Sequence, residues 1–314
     1  MVPRIVKPCW YSARMLPARL PPRALMFLLI PPVLWAGNAV VGRMVSPLVP
    51  PMLLNFFRWA LAFIILLPLA APVLRPGSLM WPHWKRFSIL GLLSVGVYNS
   101  LQYLALKTST PMNVTLVAAS MPIWMLFIGR LFFGERISRR QLLGAALSIS
   151  GVLLVLCRGD WAVLVQLHLV PGDLYVLVAV VGWAFYSWML ARPKEPSELR
   201  ANWAYFLMGQ IAFGVVWSAV FAAGEWALGT QPVVWGWPLA IALVFVAVGP
   251  AVIAYRCWGA GVAAAGPTLA GFFANLTPLF AALMSLAFLG ETPKLYHALS
   301  FVLIVGGIVV CSRR

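Results

Sequence analysis

The chain has 314 residues, 62% of them hydrophobic and 10% charged, where an average soluble domain carries roughly 25% charged residues. That balance excludes a soluble globular protein. The net charge of +16 does not point to nucleic acid either, because Lys and Arg are dispersed among short connections between apolar segments rather than gathered on a stripe.

The first 23 residues hold Arg4, Lys7, Arg14, Arg19 and Arg23, no acid, and the helix-breaking Pro3, Pro8, Pro17 and Pro21-Pro22. They predict a disordered cytoplasmic tail. A transit peptide is also Arg-rich and acid-poor but is the weaker reading, and no small-residue cleavage site follows the apolar run to mark a signal peptide. Ten apolar runs then predict spans at 24–42, 51–74, 87–106, 112–133, 140–157, 172–191, 201–223, 238–258, 267–289 and 295–311, each long enough for a bilayer. With the N-terminus inside, seventeen basic residues fall on the inner side, and only Arg43, Lys107, Arg158 and Lys294 fall outside. The positive-inside rule therefore predicts an inner-membrane, multi-pass protein with both termini cytoplasmic. The organisation expected is a tail (1–23), a five-helix unit (24–157), a periplasmic connection (158–171) and a second five-helix unit (172–312).

The two units repeat one another. Pro122 precedes Gly134-Glu135 as Pro278 precedes Gly290-Glu291, all offset by 156 residues. Pro111 matches Pro267, Phe132 matches Phe288, Gly151 matches Gly307, and Trp35-Ala36 corresponds to Trp183-Ala184 at a shorter offset. Five helices per unit is an odd number, so the units are expected to insert with opposite orientation. The fold class predicted is an all-α membrane protein of ten transmembrane helices in two inverted five-helix repeats.

The stretch ASMPIWMLFIGRLFFGERISRRQLLGAALSISGVLLV, its echo ANLTPLFAALMSLAFLGETPKLYHALSFVLIVGGIVV, and the segments LNFFRWALAFIILLP and YLALKTSTPMNVTLVAASMP carry a resemblance. In their order and doubling they resemble the EamA-type branch of the drug/metabolite transporter superfamily, over about residues 26–312. The resemblance implies a ten-helix inverted repeat with a central cavity and metabolite transport, often export, without naming a substrate. Small four-helix relatives that export cationic drugs use a glutamate in the first helix. Here that span has Asn38 and no acid, which argues against the same mechanism.

Polar residues inside spans are costly in lipid and mark function more often than elsewhere. Trp35 and Asn38 lie one turn apart on the first span. Tyr98, Asn99, Gln102 and Tyr103 form two adjoining stripes on the third. Trp183, Tyr186 and Ser187 follow on the sixth, Tyr255 on the eighth at the repeat position of Asn99, and Asn275 on the ninth. Together these are the candidate substrate-binding residues, lining a cavity suited to a small amphipathic metabolite such as an amino acid. Arg58, the charge deepest within a span, is either an arginine snorkelling to the outer interface, the favoured reading, or a gate or anion contact. Pro122 and Pro278 are candidate hinges, and Pro31-Pro32 and Pro250 are expected to interrupt their spans.

The seven acids lie near helix ends, which predicts facilitated or exchange transport without a buried carboxylate relay. Glu135 and Glu291 are read as caps or as partners of Arg139, Arg140 or Lys294. His83, His168 and His297 share no metal-type spacing, and Cys9, Cys157, Cys257 and Cys311 are unpaired in spacing. No catalytic residues, metal or cofactor are expected, and no nucleotide-binding motif is present to bring ATP. The expected partners are a small-molecule substrate and the lipid bilayer, with no nucleic acid. Small-residue stretches, Gly144 to Gly151 and Gly306-Gly307, make the fifth and tenth helices packed supports and a candidate homodimer face. The function expected is export of an amino acid or related compound by alternating access. The alternative, a membrane-embedded enzyme acting on a lipid-linked substrate, would need interfacial carboxylates or a histidine-rich site.

Overall fold

The computed structural model describes residues 21–105, 107–109, 111–160, 162–165, 168–229, 231–289 and 294–312. Among the described residues, ten helices are long and apolar enough to cross a membrane: α1 (Pro22–Val45), α2 (Pro51–Leu74), α3 (Trp81–Ala105), α4 (Asn113–Phe133), α5 (Arg139–Leu156), α6 (Pro171–Ala191), α7 (Trp203–Ala227), α8 (Trp237–Ala265), α9 (Pro267–Met284) and α10 (Leu295–Ser312). Their order is the one hydropathy predicts. Pro22 and Arg23, assigned to the tail, begin α1; Gly290-Glu291 lies outside the described residues. At α3 the helix begins six residues before the predicted start, through Trp84, Lys85 and Arg86. Tryptophan and basic residues suit the interface, so the helix continues where the apolar run has already ended.

The prolines act differently from one another. Pro31 and Pro32 are buried inside α1, which stays continuous, contrary to the expected interruption. Pro122 sits in the first turn of the segment Met121–Phe133, after the preceding segment Pro111–Ala118 has ended. Pro278 is the second residue of Thr277–Leu289, after Pro267–Ala274. A first-turn proline costs no hydrogen bond, because that N–H has no partner within the helix. The breaks therefore fall just before the prolines, at 119–120 and 275–276, again 156 residues apart.

A second matched feature has no proline signature in common. In α3, residues Leu92–Tyr98 form a widened π-helical turn, and in α8 Ala247–Ile253 do the same, 155 residues later. Such turns leave the regular hydrogen-bond ladder out of step and recur at functional sites.

The small residues of α5 and α10 meet each other. A Cβ on Gly144 would lie 2.7 Å from the Gly307 carbonyl oxygen, and one on Gly151 would lie 2.9 Å from that of Ser300. The helices are thus in backbone contact and antiparallel, since the lower number on one faces the higher on the other. This bears out the packed-support reading: Gly144, Gly151 and Gly307 are used within the chain, and a side chain there would separate its own two halves. The ends of the bundle are pinned by carboxylates. Glu195 pairs with Arg86 and with Arg200 at 2.9 Å. Glu225 pairs with Lys107 at 3.1 Å and accepts the Met52 N–H at the start of α2 at 2.9 Å. Glu135, expected on Arg139 or Arg140, holds Arg192. It follows Gly134, whose φ of +70° turns the chain out of α4 and favours glycine.

Candidate functional site

The widened turn of α3 turns two backbone carbonyls toward side chains. The Ser94 oxygen accepts from Asn99 Nδ2 at 3.0 Å and from the Tyr255 hydroxyl at 2.8 Å. The Val95 oxygen accepts from Asn55 Nδ2 at 3.1 Å. Asn99 Nδ2 also donates to Tyr255 Oη at 3.2 Å, and its Oδ1 accepts from Arg58 Nη1 at 3.2 Å. Arg58 reaches Asn38 Oδ1 at 3.5 Å, the limit of a hydrogen bond. One network thus joins α1, α2, α3 and α8 and draws on both halves of the chain.

Beside it lies an aromatic cluster centred on Trp183 of α6. Its ring centroid is 4.6 Å from Tyr98, 4.9 Å from Tyr186, 5.3 Å from Trp35 and 5.4 Å from both Tyr255 and Trp258. Trp59 packs edge-on against Tyr255 at 4.7 Å, so the cluster reaches the polar network directly. These are the edge-to-face and tilted geometries that aromatic quadrupoles favour. Three of the rings have their polar atoms tied down. Trp258 Nε1 donates to Ser187 Oγ at 3.1 Å, Tyr186 donates to Gln210 Oε1 at 2.9 Å, and Trp35 Nε1 reaches the Pro250 carbonyl, in the widened turn of α8, at 3.3 Å. Trp183 and Tyr186 are buried, while Trp35, Asn38 and Tyr98 keep part of their surface open.

The sequence candidates divide accordingly. Trp35, Asn38, Tyr98, Asn99, Trp183, Tyr186, Ser187 and Tyr255 come together, and Gln102 is bonded to Tyr98. Tyr103 packs against a second apolar cluster formed by Val45, Val49, Leu54 and Leu239. Asn275 is placed elsewhere. It lies in the break of α9 and donates to the Ala119 oxygen in the break of α4 at 3.2 Å and to Ser148 Oγ of α5 at 3.0 Å. Its role is to tie the two breaks together. His297 accepts the Lys294 N–H at 3.0 Å and so caps α10, as Gln141 accepts the Ser138 N–H at 2.8 Å at the repeat position on α5. Arg58 corrects the snorkelling reading: it is 1% exposed, inside the bundle. Trp59, Ser94 and Trp258 were missed. Trp258 was within reach, since subtracting the 156-residue offset places it on Gln102.

The model of the EamA-like transporter family matches this chain twice, at residues 22–157 and 170–313. The chain is 26% identical to the Bacillus subtilis transporter YyaM over 228 residues, 72% of each chain. It is 26% identical to the aromatic amino acid exporter YddG of Ancylobacter novellus over 286 residues, 89% of this chain and 93% of that one. A solved crystal structure, 23% identical, superposes with a TM-score of 0.71 over 91% of this chain and 95% of the other, which shows the shared fold.

Proposed function

We propose that this chain, which belongs to the EamA-like transporter family, carries a small amphipathic metabolite with an aromatic or bulky apolar side chain, by alternating access between its two halves. That it is a multi-pass membrane transporter, and not an enzyme, follows from the family and the ten apolar helices. The substrate class rests on one observation. Trp183 is surrounded by aromatic rings from α1, α3, α6 and α8, where both halves contribute, and this cluster abuts a hydrogen-bonding network. Clustered aromatic rings suit a flat apolar group without demanding one shape, and the adjacent amides suit its polar end. An aromatic amino acid, the cargo named for the exporter YddG, is the kind of substrate this arrangement suits.

The two five-helix units, 24–157 and 172–312, would lie inverted across the cytoplasmic membrane, with both termini inside. The antiparallel run of α5 and α10 supports that arrangement. The matched breaks of α4 and α9 and the matched wide turns of α3 and α8 would be where the halves flex, because irregular backbone leaves fewer ladder bonds to disrupt. Glu135, Asp173, Glu195 and Glu225 are engaged at helix ends, which supports movement down a gradient or by exchange rather than through a proton relay.

The test is counterflow in proteoliposomes loaded with unlabelled L-phenylalanine, L-tryptophan, L-leucine or L-serine. Labelled aromatic substrate is expected to accumulate transiently with the first two, and Trp183→Ala is expected to abolish it in folded protein. Absence of counterflow with every one of the twenty common amino acids would remove the proposed substrate class.

A further inference from the structure

Arg58 is a buried cation without a carboxylate. Taking a guanidinium out of water costs several kcal/mol, which an ion pair ordinarily offsets. Here the nearest acceptors are two neutral amides, Asn99 Oδ1 at 3.2 Å and Asn38 Oδ1 at 3.5 Å, and the Trp59 ring lies 5.1 Å from the guanidinium carbon. No ion pair among the described residues includes Arg58. The carboxylates of Glu135, Asp173, Glu195 and Glu225 are held elsewhere, by Arg192, by Ser109 and Asn113, by Arg86 and Arg200, and by Lys107.

A second observation stands beside the charge. Arg58 Nε and Trp59 Nε1 are buried N–H donors without a hydrogen-bond partner, and Asn55 Oδ1, one turn earlier, is a buried acceptor without one. Orphaned groups of this kind are rare in folded proteins and call for an explanation. Positions 55, 58 and 59 share one face of α2. That face meets the aromatic cluster through Trp59 and Tyr255.

We propose that Arg58 and Trp59 Nε1 receive the carboxylate of the transported molecule, with Asn55 Oδ1 placed to accept from its ammonium. The substrate is then an α-amino acid, held by its zwitterionic end at α2 and by its side chain against Trp183. Asn38 and Asn99 hold the guanidinium while the site is empty and yield to a better acceptor. The inference deepens the transport reading and rests on it.

Counterflow of labelled L-phenylalanine separates the two. In the wild type, excess 3-phenylpropanoate, which keeps the carboxylate, is expected to compete, and phenethylamine, which lacks it, is not. In Arg58→Gln the half-saturating concentration of L-phenylalanine is expected to rise by about tenfold to hundredfold, the worth of a charged hydrogen bond, with Arg58→Lys between. The discrimination between phenylalanine and phenethylamine is expected to collapse in Arg58→Gln, which a merely structural role would not produce. Should Arg58→Gln fail to fold, the wild-type competition decides alone. Equal competition by phenethylamine and 3-phenylpropanoate overturns the carboxylate receptor and leaves the transport function standing. Absence of any counterflow overturns both.

Discussion

Asn99 is the junction of the polar network, and its removal is expected to cost far more than that of its neighbour Tyr255. Tyr255→Phe keeps the ring and deletes a hydroxyl that donates to Ser94 at 2.8 Å. The Ser94 oxygen retains Asn99 Nδ2, and Asn99 retains Ser94. The loss is the bond given to Ser94 and the longer one accepted from Asn99 Nδ2 at 3.2 Å, each about 0.6 kcal/mol on average in a membrane protein. Asn99→Ala deletes the closer of two acceptors of a buried guanidinium and leaves Asn38 at 3.5 Å. Leaving a buried charge short of partners costs about 3–5 kcal/mol, and partial compensation by Asn38 places the expected value near the lower end. The double variant adds a further term. With Asn99 gone, Tyr255 is the remaining side-chain donor to the Ser94 carbonyl, so Tyr255→Phe in that background is expected to cost about 1 kcal/mol more than it does alone. Unfolding of purified protein in mild detergent, followed by tryptophan fluorescence for the wild type, both single variants and the double, measures all four corners. Equal destabilisation by the two single variants, or additivity within about 0.5 kcal/mol, would refute the network as one unit.

Gly144→Val is expected to lower Tm by several degrees, because its Cβ would stand 2.7 Å from the Gly307 backbone, while Gly306→Ala, which meets nothing within 4 Å, is expected to be neutral. At Glu195 burial alone would raise the pKa, but Arg86, the Lys194 N–H and Arg200 together hold it below the ordinary carboxylate value. Its stabilisation is therefore fully present above the unfolded value of about 4.3 and is lost as pH falls through the lower folded value. Thermal melts are expected to show Glu195→Gln less stable than wild type at pH 7, with the gap closing on acidification below about pH 4. Single cysteines at Ser138 and Lys294, both exposed, are expected to react with a membrane-impermeant thiol reagent from opposite faces of the bilayer; labelling of both from one face would contradict the inverted arrangement.

The ten spans were legible because a bilayer demands long apolar runs, and the duplication was legible because proline and glycine carry backbone information in the residue itself. The wide turns of α3 and α8 were not. Leu92–Tyr98 contains no proline and Ala247–Ile253 contains Pro250, so no shared proline announces the feature. Arg58 was misread because position along a helix says nothing about which face it occupies. In a soluble helix the apolar stripe marks the inside, but α2 is apolar on both sides. There the polar residues mark it instead: Asn55, Arg58 and Trp59 are buried, while Ile64, Ile65 and Leu69 are exposed. Read by that inverted rule, the sequence would have turned Arg58 inward.

The same rule explains why the two halves share a backbone design without sharing a site. Breaks, wide turns and helix caps recur at a nearly constant offset, since any five-helix unit of this shape must satisfy the same backbone groups in lipid. Side chains at matched positions differ: Asn99 faces Tyr255 across the repeat, and Gln102 corresponds to Trp258. Helix α7, the second-half counterpart of α2, carries no charged residue before Glu225 near its end. The charge of the candidate site therefore belongs to the first half, while Trp183 and Trp258 of the second half supply much of the aromatic pole. A molecule seated between them would have a fixed head-to-tail orientation, and both halves would touch it. That is the condition under which relative motion of the halves can expose one bound molecule first to one side and then to the other.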